Sequence, residues 1–156
     1  GNSFSLVVTR YSFHHLIDPG VGLREMIRVC RPGGRVAVSD VTPEASKTGA
    51  YDELEKMRDP SHVHALSFAE LEALGAGFGL DLRRTVSFRL DSPMEPMLAN
   101  SFSPEGNAAR IRELVRADIG VNRFSIGAFE YQGTIYYSFP TTVMVWNKPG
   151  VSKLGD

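Results

Sequence analysis

From Phe4-Ser5-Leu6-Val7-Val8-Thr9-Arg10-Tyr11-Ser12-Phe13-His14-His15-Leu16, and on through Leu23-Arg24-Glu25-Met26-Ile27-Arg28-Val29-Cys30-Arg31-Pro32-Gly33-Gly34-Arg35-Val36-Ala37-Val38-Ser39-Asp40, the chain spells strand, polar elbow, helix, turn and strand. Leu6, Val7 and Val8 form a short unbroken apolar run, the pattern of a strand buried on both faces. Asp18 before Pro19 starts a helix: the aspartate offers an acceptor to free amides, and the proline presets φ at the first helical position. Leu23, Met26, Ile27 and Cys30 recur at helical spacing and make one apolar stripe, which places the single cysteine in the core. Pro32-Gly33-Gly34 stops the helix, because proline breaks its hydrogen-bond ladder and glycine permits the reversed backbone. Val36, Ala37 and Val38 then make a second buried strand. Two buried strands joined by a helix imply a right-handed parallel crossover, with ligands beyond the carboxyl ends of the strands. Residues 10–15 and Asp40 therefore fall on one rim.

Outward from this unit, Val41 to Ala50 reads as a loop. Tyr51, Leu54 and Met57 have helical spacing, ending near Arg58-Asp59-Pro60. Ser67 with Glu70 is a capping box, and the helix it opens dissolves at Gly75-Ala76-Gly77. Leu82 to Leu90 alternates as a half-exposed strand, with Val86, Phe88 and Leu90 on one face. Pro93 to Phe102 is short and carries Met94 and Met97, expected in the core ahead of a substrate pocket. Ser103-Pro104 opens a longer helix with Ile111, Leu114, Val115 and Ile119 on one side. Ala128 to Asn147 is rich in aromatic and β-branched residues. Gln132-Gly133 suits a hairpin turn, and Pro140 is expected to interrupt or bulge the strand. The fold class is α/β: parallel strands followed by antiparallel ones, with helices and an inserted helical segment at about 92–120. Residues 1–150 read as one domain with one hydrophobic core and 151–156 as a tail.

A chain of 156 residues with 42% hydrophobic and 22% charged residues has enough material for a globular core. A formal charge of −1 gives no reason to expect nucleic acid or an anionic membrane. No apolar run is long enough to span a bilayer. His62 and His64 could share a strand face, but that pair offers too few ligands for zinc, and no metal is expected.

The ordered set Thr9-Arg10-Tyr11-Ser12-Phe13-His14-His15, Arg31-Pro32-Gly33-Gly34, Arg58-Asp59-Pro60-Ser61-His62-Val63 and Ser67 to Gly79 resembles the later part of a class I S-adenosylmethionine-dependent methyltransferase of the ubiquinone/menaquinone-biosynthesis type. That family's glycine-rich cofactor loop has no counterpart here. Gly75-Ala76-Gly77 and Gly106-Asn107 do not follow a buried strand and open a helix in the required order. The resemblance thus implies the C-terminal portion of a cytoplasmic Rossmann-like enzyme, inactive as an isolated chain. The parent would use S-adenosylmethionine to methylate a small, aromatic or lipophilic acceptor. Two other classes stand beside it: a non-catalytic domain that dimerises or binds a hydrophobic ligand, and another α/β enzyme such as a hydrolase. The absence of a Gly-x-Ser-x-Gly elbow counts against the last.

Methyl transfer asks for alignment, and for a base when the nucleophile must lose a proton. Histidine suits that task near neutral pH, so His14 and His15 are the catalytic candidates, one of them facing the cleft. Both could instead cap the following turn. By resemblance, Arg10, Tyr11 and Ser12 would meet the methionine end of the cofactor, although a surface salt bridge would also explain Arg10. Asp40 either orients substrate or a lid, or caps the loop after its strand. Arg58 and His62 lie in a segment resembling a lid and either bind an anionic or phenolic head group or end a helix. An apolar strand without a neighbour on one side invites pairing, so a homodimer or domain-swapped assembly through the Leu6–Val8 edge is expected.

Overall fold

The structure, a computed structural model, describes residues 1–150; the expected tail at 151–156 lies outside them. The opening crossover forms as its residues require. β1 (Phe4–Arg10) leads through a short 3₁₀ turn at Phe13–His15 into α1 (Pro19–Val29), and the chain returns as β2 (Cys30–Val41). Asp18 caps α1 by accepting from the Gly20 amide at 2.8 Å, with Pro19 next in line. β1 and β2 are parallel, with Val7 opposite Val36 and Val8 opposite Ala37. The helix stops one residue before the cysteine. Cys30 is its fully buried C-cap rather than part of its interior stripe.

The other elements are α2 (Thr48–Arg58), α3 (Phe68–Gly77), β3 (Asp81–Pro93), α4 (Met94–Ala99), α5 (Asn107–Asp118), β4 (Phe129–Tyr131) and β5 (Thr134–Asn147). The sheet runs β1-β2-β5-β3, with β4 also on β5. Everything after β2 joins antiparallel. Gln132 and Gly133 both have positive φ, 49° and 75°, as a tight hairpin turn between β4 and β5 demands.

Pro140 neither interrupts nor bulges β5. Its carbonyl accepts from the Thr42 amide, so the amide it lacks would face the same flank. There β2 has ended at the Val41–Thr141 pair and β4 has not yet begun at Tyr136. The missing donor falls in the gap between two ladders, and β3 pairs through Arg89 opposite Pro140 without a break.

The sheet divides the interior into two cores, where the sequence reading expected one. Val36, Val38, Met144 and Trp146 pack with Leu23 of α1 and Leu71 of α3. Val41, Ile135 and Tyr137 face the other way, against Tyr51 and Leu54 of α2, Met94 and Leu98 of α4, and Ile111 and Val115 of α5. Alternation along β5 assigns its side chains to the two cores.

Three further expectations are corrected. β1 is not buried on both faces: Leu6 is 50% and Val8 58% exposed, because β1 is an edge strand and no helix of the described residues covers that face. The apolar face of β3 is likewise open, with Val86, Phe88 and Leu90 exposed on the opposite edge. α5 begins at Asn107, after Gly106 in the left-handed region, rather than at Ser103-Pro104. α3 ends at Gly77, within the expected Gly75-Ala76-Gly77 stretch. Its capping box is complete, with Ser67 and Glu70 bonding each other's backbone. Gly75 is retained for contact: a Cβ there would lie 2.5 Å from the Trp146 indole.

Gly75→Ala should therefore lower the unfolding free energy by about 1–3 kcal/mol through overpacking. Gly77→Ala meets nothing within 4 Å and should be neutral or slightly stabilising. Urea unfolding of both variants checks the contrast; equal effects would contradict it.

Candidate active site

The carboxyl ends of β1 and β2 meet at one buried carboxylate. Asp40, 3% exposed, accepts from the Ser12, Phe13 and Val41 amides at 3.1, 2.8 and 2.8 Å. Its Oδ1 also lies 2.5 Å from His14 Nδ1. It thus caps the turn, one of the two roles the sequence offered, and also orients an imidazole, which the sequence did not suggest. Tyr11, just before the turn, has φ of 48°, a rare conformation for a residue with a side chain. Its amide bonds Ser39 of β2.

His14 lines a cavity of about 210 Å³ with Tyr11, Val41, Tyr51, Glu55, Arg58, Leu90, Ser92, Met97 and Phe139. Its walls come from the turn after β1 and from β2, β3, β5, α2 and α4, so the site lies where both halves of the sheet and the α4 segment converge. Of the residues singled out in the sequence as site candidates, Tyr11, His14, Arg58 and Met97 share this cavity, and Asp40 stands behind His14. Arg10, Ser12, His15 and His62 do not line it. His15 turns toward Ser61, with Nδ1 at 3.0 Å from the hydroxyl and 3.1 Å from the carbonyl. Arg10 is exposed and lies 5.1 Å over the Tyr11 ring. The Ser12 hydroxyl bonds that of Thr9.

His62 and His64 are in the loop after α2, not on a strand, and both serve Asp52. His62 Nε2 and His64 Nδ1 lie 2.7 and 2.6 Å from its two oxygens, and the Ala65 amide donates at 2.9 Å. Burial raises the Asp52 pKa, but the bonds from His62, Ala65 and His64 outweigh it and hold the carboxyl below its ordinary range. The His62 ring packs 5.4 Å from that of His14, and the His14 carbonyl accepts the Val63 and His64 amides. The loop is thereby pinned to the rim.

Arg58 is not a free cation. Its Nε and one terminal nitrogen bond Glu55, which is 2% exposed, and the other terminal nitrogen donates to Ser101. Burial lowers the Arg58 pKa, yet the bond from Glu55 raises it further, so the guanidinium stays charged. Burial, and next the Glu55 charge, push the Tyr51 phenol well above its usual value, so it stays protonated as a donor. Met94 is core, Met97 lines the cavity and Phe102 is exposed. The sequence reading missed Tyr51, Glu55 and Asp52 as site residues. The first two, with Arg58, stand four and three residues apart on one helix face, a signal available in the sequence. The Asp52 clamp depends on a loop return that no spacing announces. Among the described residues no cluster suits a metal ion, and no helix is long and apolar enough to cross a membrane.

Residues 1–38 match the methyltransferase domain family. The chain is 32% identical to YafE of Escherichia coli K12 over 113 residues, 71% of this chain and 55% of that protein. It is 35% identical to the uncharacterised methyltransferase YcgJ of Bacillus subtilis over 75 residues, 47% of this chain and 30% of that one. The chain thus spans about half the length of the first of these relatives. The crystal structure of YcgJ superposes with a TM-score of 0.83 at 22% identity, covering 95% of this chain and 65% of that one. Protein BH2331 of Bacillus halodurans C-125 gives 0.80 at 20%, with the same coverage. The resemblance to class I methyltransferases and the α/β fold class are borne out.

A carboxylate whose folded pKa is lowered adds stability that is present above its unfolded value, near pH 4, and lost as pH falls through the folded value. Asp52 should therefore steepen the acid limb of the stability curve. Asp52→Asn should flatten that limb and cost about 2 kcal/mol at neutral pH, where the two imidazoles lose a charged partner. Urea unfolding across the acid range checks this; an unchanged acid limb would contradict it.

Proposed function

We propose that the protein carrying this chain transfers a methyl group to a small, aromatic or lipophilic acceptor, with S-adenosylmethionine as donor and His14 as general base. The observation that carries the reading is the 2.5 Å contact of His14 Nδ1 with the buried Asp40, at the rim of a cavity. Asp40 holds Nδ1–H, which leaves Nε2 as the acceptor nitrogen toward the cavity. There it takes the proton from an acceptor hydroxyl, enol or amine as that group turns nucleophile. His15, bonded to Ser61, has no such role.

The cofactor supplies an electrophilic methyl. The rim suits its methionine end in one respect: Arg10 is an exposed guanidinium with no carboxylate partner among the described residues, able to meet a carboxylate. Tyr11 would form the adjacent wall. The Ser12 amide and hydroxyl are already engaged, so its part is to hold the turn. The ribose and adenine ends find no glycine-rich loop in this sequence.

In the whole protein, His14→Gln should lower kcat by about 10²–10⁴-fold for an acceptor that must lose a proton, while His15→Gln stays within a few-fold of wild type. Transfer of labelled methyl to a panel of phenols reads this out. Equal losses in both variants would contradict the assignment.

A second reading, a domain that associates with another copy, has its own support in the open β1 edge. Leu6 and Val8 are exposed beside unpaired backbone, and by register Arg10, Arg35 and Arg84 flank the same uncovered face. Like charges disfavour stacking two such faces, so pairing runs edge to edge through β1. Light scattering on the chain should give a dimer at micromolar concentration and a monomer for Val8→Lys. A wild-type monomer would contradict the pairing.

A further inference from the structure

We infer that the cavity selects an uncharged acceptor of one ring, that Tyr51 donates a hydrogen bond to one of its oxygens, and that Glu55 sets this charge preference by neutralising Arg58. The inference rests on the proposed methyl transfer for the word acceptor, and on the cavity alone for the rest.

Size comes first. A space of about 210 Å³ is small for a ligand site. An apolar cavity of about 150 Å³ accommodates benzene, so this one has room to seat a substituted ring. Val41, Leu90, Met97 and Phe139 supply apolar walls suited to such a ring.

Charge comes second. Arg58 alone would advertise an anion site, and its sequence position suggests one. Its guanidinium is instead covered by Glu55 through three contacts of 2.5–3.3 Å, with Ser101 taking the remaining terminal nitrogen. Glu55 is itself buried, so the two charges cancel within the wall. A carboxylate entering here would displace Glu55 or lie unpaired beside it, at a heavy cost in desolvation.

The free polar groups come third. The Tyr11 hydroxyl is engaged with Thr141 at 3.2 Å, and His14 Nδ1 with Asp40. Tyr51 is 1% exposed and its hydroxyl has no hydrogen-bond partner among the described residues, yet it lines the cavity. Unlike the Tyr137 hydroxyl, which is sealed in without a partner, that of Tyr51 opens on the cavity, where a ligand oxygen would accept its hydrogen bond. Its raised pKa keeps the proton on the donor. The acceptor therefore carries one group that gives its proton to His14 and a second oxygen that accepts from Tyr51. A phenol or enol bearing a carbonyl has both.

The test uses a matched pair of probes, 4-hydroxyacetophenone and 4-hydroxybenzoate, which differ in an acetyl group against a carboxylate. Ligand-observed NMR titration at neutral pH gives Kd for each, and thermal melts confirm folding. Wild type should prefer the ketone by about tenfold or more, the equivalent of one charged contact left unmet. Tyr51→Phe should weaken the ketone about five- to tenfold. Glu55→Gln, which frees Arg58, should move the ratio at least about tenfold toward the carboxylate. The paired Glu55→Gln/Arg58→Met variant should keep the wild-type preference, and it decides the charge argument if the single variant does not fold. A wild-type preference for the carboxylate, no binding of either probe, or a Tyr51→Phe variant that holds the ketone as tightly would overturn the inference. The titration contains no methyl donor, so a failure of methyl transfer with the ketone preference intact would sink the proposed function alone.

Discussion

The Asp40 carboxylate sits at the point where the two parallel strands end, and four groups converge on it: the Ser12, Phe13 and Val41 amides and the His14 ring. Each contact removes a donor that would otherwise lie unpaired at the end of a strand. Together they repay the cost of burying a charge, which an isolated carboxylate could not do. The end of β1 is fastened to the end of β2, and His14 is fixed in ring orientation by the same atoms. Packing of α1 on the sheet sets where the rim is; Asp40 sets what points from it.

A second carboxylate does for the cavity wall what Asp40 does for the rim. Asp52 on α2 gathers His62, His64 and Ala65, and so draws the loop after α2 back onto the His14 carbonyl. α2 then presents Tyr51, Glu55 and Arg58 to the cavity from a fixed position. The two clusters touch through the stacked rings of His14 and His62. Rim and cavity wall are therefore coupled mechanically, by side chains that are themselves satisfied, which holds their geometry fixed.

Much of the fold was legible because its signals are local. Asp18-Pro19, the Ser67–Glu70 box and Gln132-Gly133 each act within a few residues, and each appears as read. Errors arose where a distant partner decided. Nothing near Gly75 announces that Trp146, seventy-one positions later, packs against it. Pro140 looks like a strand breaker until the ladder beside it proves to stop there. Leu6 and Val8 look buried because their composition suits burial, but burial needs a covering element, and none among the described residues reaches them. At the site, the sequence indicated the rim through Arg10 to His15. It could not divide the two adjacent histidines, since which one meets Asp40 is set by the turn. It offered Arg58 as a binder of an anionic or phenolic head group, and its pairing with Glu55 one turn back emerges only in the structure.

The account turns on the His14 ring presenting Nε2 to the cavity with its proton held at Nδ1 by Asp40. Long-range proton–nitrogen correlation NMR on the imidazole nitrogens reports the tautomer directly. The account predicts that neutral His14 carries its proton on Nδ1 in the wild type and loses that preference in Asp40→Asn. A His14 protonated on Nε2, or one indifferent to the loss of Asp40, would contradict it.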